Sequence, residues 1–186
     1  LDNQEIHKRT VRFQNTPGEA HYLTISCFQK RPFLSRDRTR RYVIAALEKA
    51  RVRFNFHLWA YVIMPNHVHL LLFPLEEEYD MGKIETAIKL SVSRRALHYL
   101  RTQNPAGLRL LETGQKDTPY RFWQQGNGYD VNINTREAAY EIGKYVHENP
   151  VRAGLCEKAE DWNWSSAQEW EAEGSGPLRI DRVSLE

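Results

Sequence analysis

No apolar run in the 186 residues approaches the ~20 needed to cross a bilayer. The start, Leu1 to Arg9, is polar where a secretory leader would carry an apolar stretch. The expectation is a cytoplasmic protein with no membrane segment. Cysteine is scarce: Cys27 and Cys156 lie far apart, in no CxxC or other zinc spacing. That excludes a disulfide-stapled scaffold and a thiolate zinc site, and predicts reduced thiols. Internal repeats and low-complexity tracts are also missing, which excludes solenoids and disordered linkers. Net charge is only +2, but it is unevenly spread. Residues 29–53 carry nine Lys/Arg against two acids, residues 83–101 five against one, and residues 156–186 three against eight. A basic middle with an acidic tail suits a polyanion-facing surface over the first two-thirds of the chain.

What is present divides into an N-terminal arm (1–19, with a turn at Pro17-Gly18), one domain (20–155) and a C-terminal tail (156–186) packed on it. His21 to Phe28 alternates and is rich in strand formers. Asp37 to Phe54 has a helical period, with Ser35 or Asp37 available as cap. His57–Met64 and His67–Phe73 read as two strands separated by Pro65-Asn66. Lys83–Arg101 is helical, 102–119 a loop, and Tyr120–Ile133 supplies a fourth strand. Thr135–Glu148 is a helix capped by Thr135 or Asn134 and ended by Pro150. The order β-α-β-β-α-β-α predicts an α+β, ferredoxin-like antiparallel sheet with helices on one face, plus an added C-terminal helix and tail.

The informative residues are His67 and His69. One intervening residue puts both on the same face of a strand, with Val68, Leu70 and Leu72 on the other. Two parallel imidazoles are a bidentate grip for a divalent metal. On the last helix Tyr145 and Asn149, four apart, share a face. Asn149 offers an oxygen ligand, with Glu148 as second candidate. Water and a phosphate oxygen would fill the open positions, which suits Mg²⁺ or Mn²⁺. A metal on a phosphate oxygen would help the Tyr145 hydroxyl attack phosphorus and form a covalent phosphotyrosine bond. His147 reads as a surface residue, Tyr129 and Tyr140 as core tyrosines, Trp162 and Trp164 as packing for the tail, and Ser165 and Ser166 as caps.

Met64-Pro-Asn-His-Val-His-Leu-Leu-Leu72 resembles the HUH motif of single-tyrosine transposases. Tyr145-Val-His-Glu-Asn-Pro-Val-Arg-Ala-Gly-Leu155 is similar to the signature around their catalytic tyrosine. Arg121-Phe-Trp-Gln-Gln125 and Trp162-Asn-Trp-Ser-Ser-Ala167 match in order and spacing. Together these resemble the REP-associated tyrosine transposases, over roughly residues 20–170. The resemblance implies cleavage and rejoining of single-stranded DNA through a 5′-phosphotyrosine with a free 3′-hydroxyl. It also implies hairpins of repeated extragenic palindromes as targets, and either a monomer or a homodimer with shared sites. Tyr145 falls at the nucleophile, His67 and His69 at the metal pair, and Asn149 at the third ligand. The chain departs from many relatives at Val131 and Asn134, where a His and an Arg are expected. Basic groups open to DNA backbone are Arg36, Arg38, Arg40 and Arg41, then Lys83, Lys89, Arg94 and Arg95. Arg121 would lie near phosphate and Trp123 beside a base. Two other readings fit the same residues: a hairpin binder that no longer cuts, and a metal-dependent phosphodiesterase that forms no adduct.

Overall fold

The computed structural model describes residues 13–184; most of the expected arm lies outside them. Four antiparallel strands form one sheet in the order β2-β3-β1-β4, from β1 (Ala20–Ser26), β2 (Phe56–Ile63), β3 (His67–Pro74) and β4 (Tyr129–Ile133). This is the expected ferredoxin-like order. Helices α1 (Asp37–Phe54) and α2 (Met81–Gln103) cover one face. Helix α3 (Arg136–Arg152) and the tail with its short helix α4 (Ala167–Glu171) cover the other.

Alternation along β3 divides the two cores. Val68, Leu70 and Leu72 pack with Leu47, Ile84, Ile88 and Val92 of the α1/α2 side, whereas Leu71 faces Ala139 and Val146 of α3. The odd-numbered histidines therefore belong to the α3 face. Emptying a fully buried position such as Leu70 would cost about 2–5 kcal/mol. A bulge after Leu58 breaks the β2/β3 register, and Trp59 and Ala60 both turn toward α3.

Helix ends depart from expectation in two places. Neither Ser35 nor Asp37 caps α1: Arg36 occupies the cap position with no side-chain bond, and Asp37 pairs with Arg40 at 3.4 Å. Thr135 does cap α3, accepting from the Ala138 amide. Pro150 does not end α3 but sits inside its last turn. Proline deprives the Val146 carbonyl of its helical donor, and the Asn149 side-chain amide donates to it at 3.4 Å, and to the Tyr145 carbonyl at 2.7 Å.

The tail runs along the free edge of β2. The Ile63 amide donates to the Trp164 carbonyl (2.8 Å) and the Ser166 amide to the Tyr61 carbonyl (2.9 Å). Further along, the Asp181 amide donates to the Leu58 carbonyl and the Asp181 carboxylate accepts from the Leu58 amide, both at 2.8 Å. The exposed edge of the sheet is thereby covered by the chain itself.

Candidate active site

His67 and His69 project from the start of β3 with their Nε2 atoms 2.9 Å apart and their rings nearly perpendicular. His67 Nδ1 meets Asn66 Oδ1 at 2.6 Å. That oxygen only accepts, so Nδ1 holds the proton and Nε2 presents its lone pair. His69 Nδ1 lies 2.8 Å from the Tyr22 hydroxyl and 2.9 Å from the Thr24 hydroxyl, both on neighbouring β1. A hydroxyl can donate or accept, so His69 can carry its proton on Nδ1 and free Nε2. Burial, then the neighbouring His67, pushes His69 down to about 3; burial, then Lys30, lowers His67. Both rings are neutral at physiological pH, the form that ligates metals.

Tyr145 comes from α3 and stands edge-on to both Tyr22 (6.0 Å between ring centres) and His69 (6.2 Å). Its ring remains 37 % exposed, enough for a substrate to reach it. Burial raises Tyr22 to about 12, so Tyr22 keeps its proton beside the Tyr145 ring. Asn149 has spent its NH₂ on the Tyr145 and Val146 backbone carbonyls. Its oxygen is the atom left for a cation. Glu148 is exposed and acts electrostatically on Cys156 of the tail. Among the described residues no group of three or more His, Cys, Asp or Glu could hold a metal, so a centre here depends on the Asn149 amide beside two imidazoles. Tyr22, Thr24, His69, Tyr129, Ile142 and Tyr145 line a cleft of about 410 Å³.

Three contributors went unread in the sequence. Tyr22 and Thr24 sit two apart on β1, the same spacing that exposed the histidine pair, so alternation could have found them. Arg152, seven residues after Tyr145, holds its guanidinium 4.8 Å from the centre of the Tyr145 ring.

The expected DNA-contacting residues divide. Trp123 is buried and donates its indole N–H to the Lys89 carbonyl, so it is core rather than a base platform. Arg40 is buried under Trp162 and Trp164. Lys89 is held by buried Glu85 (2.9 Å) and the Gly126 carbonyl (2.8 Å). These three are structural. Arg121 bonds Gln125, and Arg38 stacks 3.3 Å over Tyr99. Arg36 at the N-terminal cap of α1 and Arg41 within it are exposed, and Lys83 on α2 pairs loosely with Asp80 at 3.6 Å. Arg94 and Arg95 join Lys49 and Arg53 around a cleft of about 360 Å³ between α1 and α2. That cleft is across the sheet from Tyr145. Tyr129, expected in the core, is 59 % exposed at the rim of the site, and Tyr140 is 44 % exposed. His147, expected at the surface, is buried.

The molecule is thus a ferredoxin-like antiparallel sheet carrying a helix over a paired-histidine strand. The chain belongs to the family described as transposase IS200 like, whose model matches residues 18–149. A Haemophilus influenzae protein assigned by name to the REP-associated tyrosine transposases is 26 % identical over 159 residues, 81 % of each chain. A solved REP-associated tyrosine transposase bound to a REP hairpin superposes with a TM-score of 0.68 at 18 % identity, covering 95 % of this chain and 93 % of that one.

Proposed function

We propose that this transposase cuts and rejoins hairpin-flanking single-stranded DNA through Tyr145. The observation that carries the reading is that Tyr145 shares one open cleft with His69, whose Nε2 lies 2.9 Å from that of His67 in the same chain. The Tyr145 oxygen attacks the scissile phosphorus; the bond to the 3′ oxygen breaks; the phenolic proton passes to solvent and the 3′ oxygen leaves as a hydroxyl. A 5′-phosphotyrosine remains, and a second 3′-hydroxyl reverses the step. Tyr22, protonated and edge-on to Tyr145, is a donor near the nucleophile that would favour negative charge developing on its oxygen. Arg152 is placed to meet the phosphate beside the ring.

His67, His69 and Asn149 fit one divalent ion. Adjacent ligands at about 2.1 Å from an octahedral centre stand about 3.0 Å apart, and the two Nε2 atoms are 2.9 Å apart. Mg²⁺ or Mn²⁺ bound there would supply Lewis-acid polarisation of a non-bridging phosphate oxygen. The REP hairpin bound by the solved relative supports a REP-type hairpin as the partner. Arg36, Arg41, Lys83, Arg94 and Arg95 are left to contact its backbone. The tail on the β2 edge favours a monomer over a homodimer built through that edge.

The test is covalent-adduct formation on labelled hairpins with Mn²⁺, resolved on a denaturing gel beside Tyr145→Phe and a chelator. A shifted band that needs both metal and Tyr145 supports strand transfer. Cleavage without adduct in the wild type would instead mark a phosphodiesterase. Binding with neither would mark a non-cutting hairpin binder.

A further inference from the structure

The strongest unexplained feature lies behind the nucleophile helix. His147 Nε2 is 2.7 Å from the Ser166 hydroxyl, and both side chains are buried. Ser166 does not cap α4 with its side chain. Its Oγ accepts from the Tyr61 amide at 2.8 Å, while its own amide donates to the Tyr61 carbonyl at 2.9 Å. The hydroxyl is thus pinned to the edge of β2, with its proton available to the His147 lone pair. Beside it, Trp170 donates its indole N–H to the Trp59 carbonyl at 2.9 Å and stands edge-on to His147 with ring centres 4.8 Å apart. The Trp170 ring lies against Gly143: a Cβ there would fall 2.3 Å from a ring carbon.

Tyr140, Gly143 and His147 recur at helical spacing, so one stripe of α3 grips the tail. Ile142, Tyr145, Asn149 and Arg152 form another. At about 100° per residue the two stripes lie on opposite sides of the helix. Rotation or a one-turn slide of α3, about 5.4 Å, would break the rear contacts and displace Tyr145 together.

We infer that the 162–170 segment is an intramolecular clamp, with His147, Ser166 and the Gly143–Trp170 contact as positioning elements that set the rotation and register of α3 and hence the reach of Tyr145. This rests on the reading of Tyr145 as nucleophile. The clamp touches no reacting atom. It acts by holding the nucleophile in its attacking geometry, where small misplacements are costly in rate. It also gives the Trp162–Ser166 motif a mechanical purpose beyond packing.

The test compares single-turnover adduct rates and hairpin affinity for His147→Leu, His147→Gln, Gly143→Ala and the double variant Gly143→Ala/Trp170→Ala, with circular dichroism to check folding. His147→Leu and Gly143→Ala should slow adduct formation roughly tenfold or more while hairpin affinity stays within about twofold. His147→Gln, which can keep a bond to Ser166, should recover most of the rate. Removing the Trp170 ring should recover part of what Gly143→Ala loses, because the collision is gone. Wild-type rates in both His147→Leu and Gly143→Ala would overturn the clamp, as would parallel losses of rate and affinity. If Gly143→Ala fails to fold, the rates of the two His147 variants decide. Adduct surviving in Tyr145→Phe would sink the nucleophile assignment instead, so the two failures are separable.

Discussion

The Tyr22 hydroxyl lies 2.8 Å from His69 Nδ1 while its ring stands edge-on to Tyr145, ring centres 6.0 Å apart. One β1 side chain therefore touches both the strand that would hold a cation and the helix that would supply the nucleophile. Partners of this kind fix the tautomer and orientation of a ligating histidine.

Tyr22→Phe removes only that oxygen and leaves the ring in place. The expected result is a rise of about 10- to 100-fold in the Mn²⁺ concentration needed for half-maximal adduct formation. Hairpin affinity without metal should not change. A Mn²⁺ requirement equal to the wild type's would mean that Thr24 alone orients His69.

Burial holds His147 down to about 4 against an ordinary value of 6.5. The unfolded chain takes up a proton below about pH 6.5 that the folded chain refuses, so stability is full above that pH and is lost as pH falls toward the folded value. The loss from this one group is roughly 3 kcal/mol. His69, pushed down to about 3, adds to it over the same range. Melting temperatures at pH 7.5 and pH 5 should differ less in His147→Gln than in the wild type. An unchanged difference would show that His147 is protonated in the folded state.

The strand pattern around the histidines was legible because alternation is local: His67 and His69 point together, and Val68, Leu70 and Leu72 turn away into the α1/α2 core. Helical periods and the Thr135 cap are equally local. Legibility ended where a residue's surroundings come from distant chain. His147 looks like a surface residue until Ser166 and Trp170 cover it. Arg40 looks like a free cation until Trp162 and Trp164 lie over it. Trp123 is core because α2 offers it a carbonyl. Tyr129 stays outside because β4 is short and edges the sheet. In each case tertiary packing decides burial.

Tyr129 has a built support. Buried Glu85 accepts from the Gly128 amide at 2.9 Å, and a Cβ on Gly128 would fall 2.4 Å from the Thr24 carbonyl, so only glycine lets the strand approach there. The exposed ring next to the cleft suits stacking on an unpaired base. Tyr129→Ala should weaken binding of a hairpin with a single-stranded flank by about 1–3 kcal/mol, and Tyr129→Trp should not. Fluorescence anisotropy on hairpins with and without the flank checks this. An equal loss on the flankless hairpin would rule out base stacking.

The route of α3 has a consequence for mixtures. Tyr145, His67 and His69 meet within one chain, and the tail occupies the β2 edge through which a second sheet would join. Tyr145→Phe and the double variant His67→Ala/His69→Ala should each form no adduct, and mixing them should restore none. Exchange of α3 between chains would instead rebuild one intact site per mixed pair and, with random pairing in an equal mixture, yield about a quarter of the adduct of an equal number of wild-type sites, a level a denaturing gel resolves easily. Recovery in the mixture would require the His147–Ser166 bond and the Gly143–Trp170 contact to release α3. Its absence, with hairpin binding intact in both variants, fits a helix held on its own chain.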